Sequence, residues 1–443
     1  MPGVFAHIDT IFALSTGRLP SGVAIIRLSG PHARTAISDM AGVVPRPRQL
    51  AYAVLRDAHE QVLDRGMVAY FPAPASFTGE DCAELHLHGG RAVVAAVLRE
   101  LARMKGLRQA DAGEFTRRAH LNGKMDLTSA EALADLIDAE TEAQRRLAIE
   151  NASGVHARLY TDWRARMTNV RALLESELDF ADEGDVPDSL ADEMERDIAE
   201  LVQQIRTHLS GYRRAEIIRD GFRVAIVGPP NVGKSSLLNA LARRDVAIVA
   251  DEPGTTRDLI EVVLDLNGWK VIVTDTAGIR ETQDKIELLG IARSRRAASE
   301  AHLLIILEDL NAADENGFEL GRAEVLKVGT KSDLCRSEAR ANYDVVVSAL
   351  TGEGIQNLLD HILAEAARYE GQSADPGPFR ERQVQELNAA LAALESVSTI
   401  NRNNPELRAE QLRVAATAMG RLIGDIDVED ILDVVFSRFC IGK

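Results

Sequence analysis

Over the first 125 residues the apolar positions come in short runs such as Val23-Ala24-Ile25-Ile26. Turn-forming stretches break them at Ser29-Gly30-Pro31, Phe71-Pro72-Ala73-Pro74 and His88-Gly89-Gly90. Short apolar runs bounded by glycine and proline predict strands between turns, and the region reads as an α+β domain. From Leu127 the texture changes. Thr128-Ser129-Ala130-Glu131 has the form of a capping box, and Ala, Leu, Ile and Glu follow at helical spacing. Long helices are expected to about Arg219, with a break near Gly184 to Pro187. From Phe222 to about Tyr369 strands alternate with helices, the pattern of a mostly parallel sheet covered on both faces. The polar stretch Gly371-Gln372-Ser373-Ala374-Asp375-Pro376-Gly377-Pro378 closes that region, and helical periodicity then resumes. Neither helical segment looks able to bury a core alone, so the two are expected to pack together with the α/β domain inserted between them. The expected boundaries are 1–125, 126–220, 221–371 and 372–443.

A chain of 443 residues, 46% of them hydrophobic, is too long for one ordinary core, in keeping with several domains. The three cysteines, Cys82, Cys335 and Cys440, stand at wide and irregular spacing. That supports neither a disulfide framework nor a thiolate metal cluster and fits a reducing cytoplasm. No apolar run approaches the roughly 20 residues that cross a bilayer, so a soluble protein without a membrane partner is expected. The formal charge of −17 opposes generic nucleic-acid binding, and any RNA contact must be local. Twelve carboxylates between Glu175 and Glu200 face the single Arg196, the composition of a solvated helix and turn.

Chemistry enters at Gly228. The strand Arg223-Val224-Ala225-Ile226-Val227 runs into Gly228-Pro229-Pro230-Asn231-Val232-Gly233-Lys234-Ser235, which matches G-x-x-x-x-G-K-[ST] in a strand-loop-helix context. In such a loop backbone N–H groups face phosphate oxygens, the lysine brings charge to the β- and γ-phosphates, and the Ser235 hydroxyl can reach Mg²⁺. Gly254-Thr255-Thr256-Arg257-Asp258 then offers a threonine, Thr256, to bind Mg²⁺ and sense the γ-phosphate. The strand Val271-Ile272-Val273-Thr274 delivers Asp275-Thr276-Ala277-Gly278, where Asp275 can orient the metal's water shell and the Gly278 N–H can meet the γ-phosphate. Loss of that phosphate would free both loops, which is a switch. Thr330-Lys331-Ser332-Asp333 follows another apolar strand, and Asp333 can accept hydrogen bonds from guanine N1–H and its exocyclic amine, a pair adenine lacks. Ser348-Ala349-Leu350 has the form of the loop that reads guanine O6. Thr330 stands where the usual pattern has Asn, so one base contact is expected to be weaker.

Position 279 is isoleucine, where Ras-like enzymes place the glutamine that orients attacking water. Hydrolysis then needs another device, and two residues are candidates. Asn231 could help hold a monovalent cation near the phosphates, and Glu287 could orient water through a second water; either could equally be a solvated or structural residue.

The order of these motifs, with the final Phe439-Cys440-Ile441-Gly442-Lys443, resembles the MnmE (TrmE) family of tRNA-modification GTPases over essentially the whole length. The resemblance also rests on Arg27-Leu28-Ser29-Gly30, Phe77-Thr78-Gly79-Glu80-Asp81, His88-Gly89-Gly90, Gly113-Glu114-Phe115-Thr116 and Leu121-Asn122-Gly123-Lys124-Met125-Asp126-Leu127. It implies an N-terminal α+β domain that forms the homodimer and binds 5-formyltetrahydrofolate or a methylenetetrahydrofolate, a helical domain, and an inserted Ras-like G domain. It assigns folate contacts to Arg27, Glu80, Lys124 and Lys443. It assigns GTP contacts to Asn231-Val232-Gly233-Lys234-Ser235-Ser236, Ala250-Asp251-Glu252-Pro253-Gly254-Thr255-Thr256, Asp275-Thr276-Ala277-Gly278, Thr330-Lys331-Ser332-Asp333 and Ser348-Ala349-Leu350. Mg²⁺ would use Ser235 and Thr256, and K⁺ would use Asn231, Ala250, Glu252 and Thr255, standing in for an arginine finger as G domains meet. Glu287 falls at the water-orienting position. The family acts with an FAD-dependent partner, in a heterotetramer or larger complex, to place an aminomethyl-type group, often carboxymethylaminomethyl, on C5 of wobble uridine in certain tRNAs. Cys440 is implied in that modification.

Two other readings use part of the same sequence. A regulatory GTPase of ribosome assembly shares the G motifs but commonly carries a basic RNA-binding module that this acidic chain lacks. A folate enzyme with a vestigial switch is disfavoured by nearly intact phosphate, metal and base motifs. Gly442 and Lys443 fit a prenylation box at Cys440 poorly. His86 and His88 lack a nearby third ligand and read as strand or turn residues.

Overall fold

In β2 (Ser21–Ser29) the inward positions Ala24, Ile26 and Leu28 are fully buried, the period-2 pattern of a strand against a core. The computed structural model describes residues 9–179, 188–244, 246–248, 261–275, 299–311, 324–334, 342–369, 377–401 and 404–426, with 432, 435–437, 439 and 442 beyond them. The expected break at Gly184 to Pro187 and most of the stretch from Gly371 lie outside the described residues. Two compact units form: Met1–Ala134 with Asn151–Ala172 and Leu412–Lys443, and Asp135–Glu150 with Leu173–Gln411.

In the first unit, β1 (Thr10–Leu14), β2, β3 (Ala51–Arg56), β4 (Val62–Phe71), β5 (Cys82–Gly89) and β6 (Leu107–Gln109) make one sheet in the order β3-β4-β5-β2-β1-β6. It is antiparallel except where β1 meets β6. Helices α1 (Ala33–Ala41) and α2 (Arg91–Arg103) cover one face, burying Ile37, Met40, Val97 and Leu101 against Ile26, Leu28 and Leu85. Helix α3 (Glu114–Leu121) sends Phe115 to Ile11 and Ala13 on the opposite face. The main core lies under α1 and α2 on one face, and the smaller cluster around Phe115 covers part of the other.

Helix α4 (Leu127–Asp138) starts one residue before the expected capping box, and its N-terminal donors are satisfied differently. Asp126 accepts the Ser129 N–H at 2.9 Å and the Ser129 hydroxyl at 2.6 Å. The cap is therefore Asp126; Thr128 also donates its hydroxyl to that carboxylate, and Glu131 is buried. On α4, Leu127 and Ala130 pack against Leu432, Phe436 and Phe439 from the C-terminal segment. Gly442 is fixed as well: its carbonyl accepts the Ser15 hydroxyl at 2.8 Å, and a Cβ there would stand 2.1 Å from the Leu14 oxygen.

Helices α5 (Glu142–Ala152), α6 (Val155–Asp179), α7 (Asp188–Ser210) and α8 (Tyr212–Asp220) follow. In the second unit α7 buries Met194, Ile198, Leu201 and Ile205 at helical spacing, facing Leu387, Ala390, Leu394 and Val397 of a later helix, Glu381–Thr399. An Arg206–Glu395 pair at 2.7 Å and an Arg408–Glu195 pair join the same two sequence segments. The helical regions on either side of the α/β sequence thus do pack together.

The α/β region forms β7 (Phe222–Val227), β8 (Glu261–Leu266), β9 (Trp269–Asp275), β10 (Leu303–Asp309), β11 (Glu324–Thr330) and β12 (Val345–Val346), ordered β12-β11-β10-β7-β9-β8. Every pairing is parallel except β8 with β9. Both faces of β7 are buried, Val224 and Ile226 in one cluster and Ala225 and Val227 in another, as a sheet covered on both sides demands. The chain enters this α/β region at Phe222 and leaves it near Tyr369, just past the helix Ile355–Ala367. These two rings lie 6.2 Å apart, and His302 stacks on Phe222 at 5.3 Å.

Candidate functional site

The strands β9 and β10 flank β7 on opposite sides, so the chain diverges at the C-terminal end of β7, where open α/β sheets bind ligands. The loop there is shaped by backbone demands. Gly228 has φ 157°, and a Cβ would lie 2.6 Å from the Leu307 carbonyl; Gly233 has φ 111°. Asn231 also adopts a left-handed conformation, at φ 62°, which asparagine tolerates better than most residues. Helix α9 (Lys234–Ala242) begins directly after Gly233, turning its first N–H groups toward the loop.

Lys234 Nζ donates to the carbonyls of Gly228 at 2.9 Å and Pro229 at 3.0 Å, folding the ammonium across the loop. Burial lowers its pKa, with the Asp275 charge opposing that shift. The Ser235 hydroxyl donates to Asp275 Oδ2 at 3.0 Å. Asp275 is 2% exposed, and its buried Oδ1 has no hydrogen-bond partner among the described residues. A buried carboxylate oxygen left unpaired beside a serine hydroxyl, next to a phosphate-type loop, suits a hydrated divalent cation. Ser236 is exposed one residue further along α9.

On the other side of the loop, Thr330 ends β11 and Ser332–Leu334 form a short 3₁₀ turn. Asp333 is exposed, and its Oδ1 accepts the Ser348 hydroxyl at 2.6 Å. Ser332 donates its N–H to the Val347 carbonyl at 3.2 Å and its hydroxyl to Glu353 at 2.7 Å. Lys331, at φ 60°, reaches Asp309 at 2.6 Å. Burial pulls the Asp309 carboxyl upward, but hydrogen bonds from Lys331 and Asn311 and the Lys331 charge outweigh it and hold the pKa below its ordinary value. Leu350 is 85% exposed beside the half-buried Ala349. Asn231, Val232, Gly233, Lys234, Ser235 and Asp275 thus gather at one strand end. Thr330 is joined to the same loop through the Val232 carbonyl. Ala250 to Thr256, Thr276, Ala277, Gly278 and Glu287 lie outside the described residues.

A second cluster surrounds the loop between β4 and β5. Glu80 Oε2 accepts the Ser29 hydroxyl at 2.6 Å, and the Arg118 guanidinium reaches both Glu80 oxygens at 3.3 Å. Arg118 is 1% exposed and also pairs with Glu114 and Asp9, each at 2.9 Å. The guanidinium of Arg27 lies 5.3 Å from the Phe77 ring centroid and donates to Glu84 at 3.4 Å. Lys124 donates to the Pro74 carbonyl at 3.0 Å, and its stem passes the place a Cβ on Gly79 would occupy, at 3.3 Å. Arg27, Glu80 and Lys124 therefore all meet the 74–80 loop. Sequence reasoning missed Ser29 and Arg118 as the partners of Glu80; the i,i+4 spacing of Glu114 and Arg118 was the one local signal. Cys440 and Lys443 lie outside the described residues, although Phe439 and Gly442 beside them are anchored as above. His86 and His88 sit in β5 and bond Glu84 at 3.2 Å and Asp64 at 2.8 Å.

Residues 10–124 match the model of the GTP-binding protein TrmE N-terminus, and residues 127–440 match that of the MnmE helical domain. A protein of Chelativorans sp. (strain BNC1) named tRNA modification GTPase MnmE is 55% identical over 443 residues, all of both chains. The chain belongs to the MnmE family. A Mesorhizobium japonicum protein of the same name is 52% identical, covering 98% of this chain and 99% of its own. One from Brucella canis is 51% identical over the whole of both. Among solved structures, the G domain of the T. maritima FeoB iron transporter covers 32% of this chain and 98% of its own, at 29% identity and a TM-score of 0.25. Membership of the MnmE family gives the three parts their names: a TrmE-type N-terminal domain, a helical domain and a P-loop G domain. No helix among the described residues is long and apolar enough to cross a membrane.

Proposed function

We propose that this chain is a cytoplasmic, GTP-hydrolysing tRNA-modification enzyme. With an FAD-dependent partner it adds an aminomethyl-type group, carboxymethylaminomethyl in the usual case, to C5 of wobble uridine in certain tRNAs. The observation that carries this reading is the gathering of Lys234, Ser235 and Asp275 beside a base-reading turn whose Asp333 is aligned by Ser348. The full-length identity with proteins named tRNA modification GTPase MnmE supports it.

Residues 221–371 act as the switch. Ser235 and Thr256 would hold Mg²⁺, and Asp275, bonded to Ser235, would accept hydrogen bonds from its waters. The bound ion supplies positive charge to the β- and γ-phosphate oxygens. The remaining GTP contacts are those assigned above, with Gly278 sensing the γ-phosphate and Glu287 orienting water. Asn231 with Ala250, Glu252 and Thr255 would hold K⁺ as two G domains meet.

Residues 1–125 form the homodimer and bind the one-carbon folate. Glu80, held by Ser29 and Arg118, keeps acceptor capacity for a pterin's amino-pyrimidine edge, because an ionised carboxylate has about four lone-pair sites. Arg27, Lys124 and Lys443 carry charge for the glutamate tail. Cys440 takes part in the modification itself.

The test is reconstitution. The purified chain is incubated with the FAD-dependent partner, GTP, folate, an amine donor and unmodified tRNA, and the digested nucleosides are weighed by mass spectrometry. A C5-modified wobble uridine that requires this chain and GTP is the expected product. Modification that proceeds equally without GTP would contradict the proposal.

A further inference from the structure

Thr330 occupies the position where the guanine-reading pattern usually has asparagine, and its surroundings give it a different task. It is 4% exposed at the end of β11, and its hydroxyl lies 2.7 Å from the Val232 carbonyl and 3.1 Å from the Glu308 carbonyl. Both neighbours are acceptors only, so the hydroxyl must spend its single proton on one of them. Whichever takes it, no proton is left for a base. The oxygen's remaining lone pairs cannot serve guanine N7, which is itself an acceptor.

The shorter contact crosses 98 residues of sequence to the phosphate-binding loop. Val232 is buried, and its carbonyl shares one planar peptide with the Gly233 N–H. In a trans peptide these two groups point in opposite directions, so pinning the carbonyl fixes where the Gly233 N–H is aimed. Gly233 owes its identity to its φ of 111° and not to crowding by Thr330, since a Cβ there would make only an ordinary 4.0 Å contact with the Thr330 Cβ.

We propose that Thr330 is a positioning residue that ties the phosphate loop to the base-reading turn through Val232, leaving guanine to be read by Asp333 with no donor to N7 from position 330. Asparagine, with two amide protons, could brace the loop and donate to N7 together; threonine has one proton and performs only the first task. Ser348, bonded to Asp333 at 2.6 Å, keeps the remaining reader aligned. This inference rests on the guanine-nucleotide reading of the site.

The experiment is calorimetric titration of the full chain with GDP, 7-deaza-GDP and ADP in Mg²⁺ buffer. The native protein should bind GDP and 7-deaza-GDP within about twofold of each other. Thr330→Asn should come to prefer GDP over 7-deaza-GDP by about five- to tenfold, the worth of one neutral hydrogen bond. Thr330→Val should weaken both nucleotides by about tenfold without changing their ratio, and Thr330→Ser should restore native affinity. A native preference for GDP over 7-deaza-GDP of about tenfold or more, with ADP still rejected, would overturn the assignment while leaving guanine recognition intact. ADP binding as tightly as GDP would bring down the guanine reading and this inference together. If Thr330→Val does not fold, the native protein and the serine and asparagine variants still decide the outcome.

Discussion

His302 shows how one side chain reports on the place where the chain enters and leaves the G domain. It stacks on Phe222, lies 6.3 Å from Tyr369, and accepts the Arg223 N–H at 2.9 Å through Nδ1, the role of a neutral ring. Burial, with the Arg213 and Arg223 charges adding to it, pushes its pKa down to about 4 from an ordinary value of 6.5. Between these values the unfolded chain takes up a proton that the folded chain refuses. The stability contributed by the neutral ring is therefore fully present above pH 6.5 and is lost as the pH falls toward about 4. Replacing His302 by Phe should keep the stack and make the melting temperature less sensitive to acid. Melting curves near pH 6.5 and about pH 5 check this, and an equal fall in both proteins would rule it out. Nothing in the sequence around His302 announces this role, because its partners come from positions 213, 222, 223 and 369. Lys234, Ser235 and Asp275 were legible, since local motifs fix their chemistry. Thr330 was legible only as a departure from pattern; its bond to Val232 depends on a carbonyl far away in sequence.

At the scale of elements, periodicity was informative and ends were not. The alternation in β2, the nearly unbroken apolar run of β7 and the helical spacing in α7 follow from which faces are buried. The start of α4 was misplaced because Thr128 to Glu131 satisfies the capping pattern, yet Asp126, two residues earlier, is the group that meets the free N–H. Its removal has a defined cost. Asp126→Ala should lower stability by about 0.5 to 2 kcal/mol, the range for a lost N-cap. It should also loosen Leu432, Phe436 and Phe439, which pack on Leu127 and Ala130 at the start of that helix. Thermal unfolding and limited proteolysis of the C-terminal segment would show both effects. An unchanged midpoint with an equally resistant tail would show that the cap is dispensable.

For the molecule as a whole, the fold class and the insertion of one α/β sheet between two helical segments were readable from the changes of apolar periodicity along the chain. The anchoring of the C-terminal segment on the N-terminal domain was not, because it depends on Ser15 meeting Gly442 across nearly the whole chain. That anchoring sets the residues flanking Cys440 against the same domain that carries Arg27, Glu80 and Lys124. Cys440→Ser should accordingly leave GTP hydrolysis within about twofold of native while abolishing tRNA modification, since its neighbours belong to that unit and not to the P-loop's. Paired assays on one preparation decide it, and a parallel fall in hydrolysis would contradict the separation of roles. The G domain, with isoleucine at 279 where Ras-like enzymes have glutamine, is proposed to hydrolyse GTP with the help of a monovalent cation at Asn231. The most direct measurement is steady-state GTP hydrolysis in KCl and in NaCl of equal ionic strength, with ATP as control. A GTP-selective rate at least about tenfold faster in KCl is predicted, and a slow rate indifferent to the cation would contradict it.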